Sequence, residues 1–235
     1  MNHEMPLCAI VGAGPGNGAA FAHRFATAGY QIALLARGVE RLSELASEIP
    51  NAQVFYCDVT SEESIATAFQ TLSQQMGSPD VVIYNVGKAI WGDALSLSGE
   101  DFELAWRVNA QGAFLTAQQV LPAMREAQTG TIIFIGATAS HRGGANTAAF
   151  AAAKAAQRSL AESLARAYGP DGVHVCLMII DAVIDEPSTR AQLTDKPDSF
   201  FCKPHDIAET ALMLTRQPPS AWTFELDLRP FGEKW

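Results

Sequence analysis

Short apolar runs alternate with amphipathic segments along the whole chain. Runs rich in β-branched and aromatic residues, typical of strands buried on both faces of a parallel sheet, occupy residues 7–11, 31–36, 53–57, 81–84, 131–135, 173–179 and 223–228. Segments with helical spacing lie between them, at residues 18–28, 39–47, 62–76, 99–125, 148–168 and 205–215. Because strands and helices alternate without a break in composition, the pattern predicts one doubly wound α/β domain over residues 1–235.

Residues 185–203 fit neither pattern. This stretch is polar, contains Pro187 and Pro197, and joins the sixth predicted strand to the last predicted helix. Long connections of this kind in compact domains often serve as lids or binding loops. We therefore interpret it as a substrate loop, and a surface excursion without a function is the alternative.

Composition and charge narrow the class of protein. Hydrophobic residues make up 48% of the 235 residues and the net charge is −9, which predicts a globular protein and argues against nucleic acid or an anionic membrane as the main partner. No apolar leader or run of membrane-spanning length stands out. The four cysteines form no C-x-x-C pair and have no metal-ligand spacing. We therefore expect free thiols, no bound metal and a cytoplasmic location.

The first predicted strand runs into a glycine-rich turn that reads VGAGPGNG from Val11 to Gly18, and then into a helix. Glycines permit a tight turn and let backbone N–H groups approach a pyrophosphate at the helix N-terminus. The place of the turn between a strand and a helix makes the motif informative. We therefore predict a nucleotide site, with an unliganded tight turn as the alternative. Its residues are Gly12, Gly14, Gly16, Asn17 and Gly18.

The end of the second predicted strand bears on the choice of cofactor. An acidic side chain there would accept hydrogen bonds from the ribose of NAD, whereas an arginine would pair with the 2′-phosphate of NADP. Here the strand ends in Ala36 and Arg37, and Arg41 follows one turn later. The sequence therefore favours NADP(H), and NAD(H) is the alternative.

Further motifs resemble those of the short-chain dehydrogenase/reductase family over nearly the whole chain. Asp58 and Val59 resemble its pair beside the adenine, and Asn85 and Gly87 match two places of its Asn-Asn-Ala-Gly segment. The resemblance implies that these four residues bind the dinucleotide. It also implies a Rossmann fold, with a seven-stranded parallel sheet in the order 3-2-1-4-5-6-7 and helices on both faces, and assembly into a homodimer or homotetramer.

The resemblance breaks at the catalytic positions. Asn109, in a Val-Asn-x-x-Gly motif, and Lys154 match the family, which implies a relay water at Asn109 and a ribose contact at Lys154. The serine position holds Ala137 and the tyrosine position holds Phe150. The chain resembles a subgroup of the family that also has Phe at the tyrosine position and keeps the nearby lysine. A phenyl ring has no proton to give or accept, so tyrosine-driven carbonyl reduction is not expected.

Two hypotheses about function therefore stay open. The first is an NADP(H)-dependent oxidoreductase that reduces a small carbonyl or enone substrate with a substitute acid, for which His141 is a candidate. The second is a non-catalytic NADP(H)-binding protein that acts as a sensor or interaction partner. The sequence does not identify the substrate. Other polar groups near the lost hydroxyls are Lys88, Thr138, Ser140 and Thr147, and we interpret Trp91 as a core or interface residue.

Overall fold

The computed structural model describes residues 5–232, and nine strands lie within them. They are β1 (Leu7–Val11), β2 (Gln31–Ala36), β3 (Ala52–Tyr56), β4 (Val81–Tyr84), β5 (Thr131–Ala137), β6 (His174–Ile180), β7 (Val183–Ile184), β8 (Phe201–Cys202) and β9 (Glu225–Leu228). The seven longer strands form one parallel sheet in the order β3-β2-β1-β4-β5-β6-β9. This confirms the predicted Rossmann order, because β9 is the seventh strand of the sheet.

Eight α-helices lie in the same part of the chain. They are α1 (Asn17–Thr27), α2 (Val39–Glu48), α3 (Glu62–Met76), α4 (Gly99–Trp106), α5 (Gly112–Ala127), α6 (Ala148–Tyr168), α7 (Pro187–Gln192) and α8 (Pro204–Thr215). The N-terminus of α3 is capped by Ser61, whose side chain accepts a hydrogen bond from the N–H of Ser64. Among residues 5–232, no helix is both long and apolar enough to cross a bilayer.

The hydrophobic core lies on both faces of the sheet. One face packs against α3, α5 and α6, with Ile65, Leu72 and Leu121 in that layer. The other face packs against α1, α2 and α8, and Phe21 and Phe25 fill its centre. Strands covered on both sides bury every residue, as β1 and β6 do, which is why the apolar runs were continuous rather than alternating.

The segment predicted as one helix over residues 99–125 contains an interruption. A π-helical turn, Arg107–Gln111, separates α4 from α5. The buried hydroxyl of Tyr84 donates to the carbonyl of Val108 at 2.6 Å, so one carbonyl of the widened turn has a partner outside the helix. Gly112 is required beside it, because a Cβ there would overlap the Tyr84 hydroxyl.

Residues 185–203 are more ordered than the sequence indicated. They contain α7 and β8, and β8 pairs with β7 in a small separate sheet. Arg190 bonds both oxygens of Asp185, at 2.7 and 2.9 Å, and Asp198 at 2.7 Å. Its guanidinium also lies 4.0 Å above the ring of Phe201. This single side chain cross-links the segment through contacts that local sequence patterns do not show.

Candidate functional site

The glycine-rich turn connects β1 to α1, and two of its glycines are sterically required. Gly12 has a φ of +83°, and a Cβ there would lie 2.7 Å from Val86 Cγ2. A Cβ on Gly18 would lie 2.8 Å from the Cα of Ala13. At these two positions the turn is packed too tightly for a side chain, so backbone alone is present there.

The N-terminus of α1 already receives a negative charge in this structure. Gly16 caps the helix and no side chain bonds to the cap. The carboxylate of Glu186 lies directly against Gly16, where a Cβ would overlap its Oε1 atom. Beside it Asn17 is buried, and its Oδ1 atom has no hydrogen-bond partner among the described residues. A carboxylate at this position is stabilised by the helix dipole, as a phosphate would be.

A cleft of about 350 Å³ opens beside the turn, at the carboxyl ends of β1 to β4. Such a position at the strand ends is where open α/β sheets bind their ligands. The cleft brings together six residues that the sequence predicted to bind the dinucleotide. They are Gly12, Arg37, Asp58, Val59, Asn85 and Gly87. Lys88 and Leu104 also line it.

Two of these side chains are held in place by hydrogen bonds to the protein. Asn85 Nδ2 donates to the carbonyl of Gly12 at 2.9 Å, which ties the glycine turn to the end of β4. Asp58 accepts from the N–H and the hydroxyl of Thr60, at 3.0 and 2.8 Å. Burial raises the pKa of Asp58, but these bonds and the nearby Arg37 outweigh it, so its pKa is lowered. A charged carboxylate and a guanidinium thus face the same cleft.

Asn109 lies in the π-helical turn and is fully buried. Its Nδ2 donates to the carbonyls of Ala105 and Lys88, at 2.8 and 3.1 Å, and its Oδ1 accepts from the N–H of Lys88 at 3.3 Å. The amide therefore clamps the backbone of Lys88 at the edge of the dinucleotide cleft. This contact accounts for both polar atoms of the side chain.

Lys154 is enclosed by protein. Its Nζ donates to the carbonyl of Ile135 at 2.8 Å and to Gln157 Oε1 at 3.1 Å, and the residue is 3% exposed. Burial lowers its pKa from 10.5 to about 7. It is not among the residues that line the cleft beside the glycine turn, nor does it line the second cleft described next.

A second cleft, of about 700 Å³, contains both positions that lack a hydroxyl, Ala137 and Phe150. Because the sequence predicts the reacting groups there, we call it the substrate cleft. Gly92 pairs with Thr147, which brings the loop after β4 against the start of α6. Trp91 therefore lies beside Phe150, with their ring centroids 6.0 Å apart. Trp91 is therefore not a core residue, since it is 67% exposed and lines the cleft, and its interpretation as an interface residue stays a prediction.

His141 lies outside this cleft. Its Nε2 is 3.1 Å from Asp227 Oδ1 on β9, and it is not among the residues that line the cleft. Asp181, by contrast, lines the cleft and accepts from the hydroxyl of Thr138 and from Arg229 Nε. Burial raises the pKa of Asp181, but these bonds outweigh it and the pKa is lowered. Asp181 therefore stays charged and occupied by protein donors.

Two residues of the site were missed by sequence analysis. Glu186 and Trp91 lie in segments without a motif, and each is brought to the site by contacts with residues far away in the chain. The polar character of residues 185–203 was the one available signal, and it indicated a binding segment without identifying Glu186.

Comparisons with a family model, with curated proteins and with solved structures all find dehydrogenases or oxidoreductases. Residues 7–195 match the family described as short chain dehydrogenase. An uncharacterized oxidoreductase of Staphylococcus aureus is 27% identical over 95% of this chain and 96% of its own. The crystal structure of a short-chain dehydrogenase from Rhodopseudomonas palustris is 30% identical, with a TM-score of 0.84 over 96% of this chain and 99% of that one. An alcohol dehydrogenase from the archaeon Thermococcus sibiricus, complexed with 5-hydroxy-NADP, is 27% identical, with a TM-score of 0.86 over 98% and 99% of the two chains.

Proposed function

This chain belongs to the short-chain dehydrogenase/reductase family, and from that premise we propose that it is an NADP(H)-binding oxidoreductase that acts on a small carbonyl or enone substrate. The observation that carries the proposal is the cleft that joins Gly12, Arg37 and Asp58 at the carboxyl ends of the strands. Similar proteins with NADP-type ligands support the cofactor, among them a metagenomic short-chain oxidoreductase in complex with NADP, which is 26% identical, with a TM-score of 0.84 over 97% of this chain and 98% of that one.

The proposed binding mode uses only residues of this cleft and the adjoining turn. The bare backbone of Gly14, Gly16 and Gly18 at the N-terminus of α1 receives the pyrophosphate. Arg37 pairs with the 2′-phosphate, and Asp58 accepts from the adenine. Bound NADPH supplies a hydride. In the neighbouring substrate cleft, Ala137 and Phe150 leave the reacting end without a tyrosine or serine hydroxyl, and Lys154 lines neither cleft.

Cofactor binding is tested by titrating the protein with NADPH and with NADH and measuring the fluorescence change. We expect Arg37→Ala to weaken NADPH binding at least 10-fold, since a charge-assisted bidentate pair contributes more than about 1.4 kcal/mol, and to change NADH binding less than about 2-fold. Arg166→Ala on α6, where the arginine pairs with Glu162 at the surface, is the matched control. Equal weakening of both cofactors would contradict the assignment of NADP(H).

A non-catalytic NADP(H)-binding protein is the second candidate function. It is favoured by the joint loss of hydroxyls at Ala137 and Phe150 and by the inward bonds of Lys154. Loss of a positioned acid typically lowers a rate by about 10²–10⁴-fold. Tight NADPH binding without NADPH consumption on aldehydes, ketones, quinones and enones would support this candidate over an enzyme. Carbonyl reduction gained in the double variant Phe150→Tyr, Ala137→Ser would show that the pocket is otherwise intact.

We also propose that copies of the chain associate through α4 and α5. Phe102, Trp106 and Phe114 are 48%, 43% and 43% exposed on this surface, and a cluster of large exposed apolar side chains marks an interaction site. The expected assembly is a homodimer or a homotetramer. Light scattering after size exclusion measures its mass, and Phe114→Glu should shift that mass towards the monomer. A wild-type monomer at micromolar concentration would refute the association.

The cytoplasm is the proposed location. All four cysteines are free, and three of them are buried. Burial, with a contribution from Asp58, raises the pKa of the Cys57 thiol to about 12, so this thiol stays protonated and unreactive. Free buried thiols support a reducing compartment. Thiol titration of protein that is purified without reductant and then unfolded should find four free thiols. Fewer than four would indicate that some cysteines were oxidised.

A further inference from the structure

We infer that the substrate cleft binds a planar ring compound whose C=C bond is conjugated to a carbonyl, with the quinone ring as the simplest example, and that the protein reduces this class rather than isolated ketones. The inference deepens the proposed function and rests on it. Two properties of the cleft support it. The wall is aromatic, and the hydroxyl groups already donate hydrogen bonds to protein acceptors.

The wall of the cleft suits a flat, apolar molecule. Trp91, Phe150 and Phe200 line it together with Val183 and Ile184. Trp91 is 67% exposed in total, and its ring lies 6.0 Å from that of Phe150, centroid to centroid, at an angle of 50°. Exposed aromatic faces in a concave site mark a ligand position, because a stacked ring removes apolar surface from water and adds a quadrupole interaction.

The hydroxyl groups of the cleft are already donating. Those that line it belong to Thr138, Thr147 and Thr189. Thr138 donates to Asp181, Thr147 to the carbonyl of Gly144 at 3.1 Å, and Thr189 to the carbonyl of Ile184 at 2.6 Å. A hydroxyl has one proton to donate, so none of the three protonates a substrate oxygen without first breaking a protein hydrogen bond.

This arrangement selects among reactions by the basicity of the product anion. Reduction of an isolated ketone forms an alkoxide, a strong base that needs a proton as it forms. Reduction of a conjugated C=C bond forms an enolate, whose charge is delocalised and which is a far weaker base. Arg142, whose side chain is 64% exposed at the cleft and whose ion-pair contact with Asp181 is 3.7 Å long, supplies a permanent positive charge for such an anion.

The proposed reaction balances without a side-chain acid. NADPH is the reductant, and its hydride forms a new C–H bond at the carbon β to the carbonyl. The C=C pair shifts towards the carbonyl carbon, and the carbonyl π pair moves onto oxygen. The resulting enolate takes a proton from water, which leaves hydroxide. The substrate has gained two electrons, and a quinone product becomes the hydroquinone by tautomerisation.

The test compares 1,4-naphthoquinone with 2-tetralone, a ketone of similar size that lacks conjugation to a C=C bond. We expect kcat/KM from NADPH consumption, corrected for the uncatalysed reaction, to favour the quinone at least 100-fold, the scale of a missing acid. Binding is measured separately by calorimetry on the protein loaded with NADP⁺. Trp91→Ala should weaken reversible naphthoquinone binding about 10-fold, whereas Trp91→Phe and the exposed control Phe231→Ala should bind it within about 3-fold of wild type.

The outcomes separate the inference from the function on which it rests. Similar kcat/KM on both compounds, or naphthoquinone binding unaffected by Trp91→Ala, would overturn the inference and leave an NADP(H)-dependent reductase. NADPH binding with turnover of neither compound would overturn the inference as well and favour the non-catalytic candidate. Failure to bind NADPH or NADH at all would overturn the proposed function itself.

Discussion

Replacing Lys154 with methionine should change how the stability of this protein depends on pH. The ammonium lies in the interior with two neutral acceptors, the Ile135 carbonyl and Gln157 Oε1. None of the ion pairs among residues 5–232 includes it. Removal from water without a compensating carboxylate penalises the charged form, which is why its pKa falls from 10.5 to about 7. Methionine fills a similar volume without the charge.

The sign and size of the effect follow from proton linkage. The unfolded chain keeps this proton up to about pH 10, while the folded protein releases it near pH 7. Between these values the unfolded state binds more protons, so the free energy of unfolding rises with pH, by at most about 1.4 kcal/mol per pH unit. Below pH 7 the penalty is constant, at roughly 5 kcal/mol for the full shift. From pH 7 to pH 9 the wild type should therefore gain about 2 kcal/mol relative to Lys154→Met.

The assay is urea unfolding at pH 7, 8 and 9, with ionic strength and protein concentration fixed, followed by circular dichroism. Buried thiols and other groups titrate alike in both proteins, so the difference between the two curves isolates Lys154. Lys196→Met, at a partly exposed position, should follow the wild type at every pH. Parallel pH profiles of the free energy of unfolding for the wild type and Lys154→Met would refute a buried ammonium with a lowered pKa.

Three further outcomes are expected. Glu186→Gln removes the carboxylate that lies against the glycine turn, so NADPH should bind about 10-fold more tightly by calorimetry, the scale of one like charge a few ångströms away at an intermediate dielectric; unchanged affinity would contradict this. Gly18→Ala places a Cβ 2.8 Å from backbone, and NADPH binding should fall below detection while circular dichroism still reports a folded chain. Tyr84→Phe leaves the Val108 carbonyl without its 2.6 Å donor, which should lower the free energy of unfolding by about 1–3 kcal/mol. Tyr56→Phe at an exposed position should change it by less than about 0.5 kcal/mol, and equal effects of the two tyrosine variants would refute the role of the buried hydroxyl.

Most of the fold could be predicted because its signals are local. A strand that is covered on both faces must be apolar at every position, and β1 and β6 show this as continuous runs. The glycine turn was equally visible, since steric contact with Val86 and Ala13 admits no side chain at Gly12 or Gly18. Short elements such as β7 and α7 were not visible, because neither is long enough to establish a periodicity.

The amino-acid sequence by itself determined the strand and helix pattern, the turn at the start of α1, and the absence of hydroxyls at Ala137 and Phe150. Only the tertiary structure decided what surrounds those positions. It turned Lys154 towards Ile135 and placed Trp91 in the substrate cleft. It also placed the carboxylate of Glu186 against the glycine-rich turn. The physical reason is that burial, pKa and the partner of a polar group depend on residues that are distant in the chain, whereas periodicity and backbone sterics depend on neighbours.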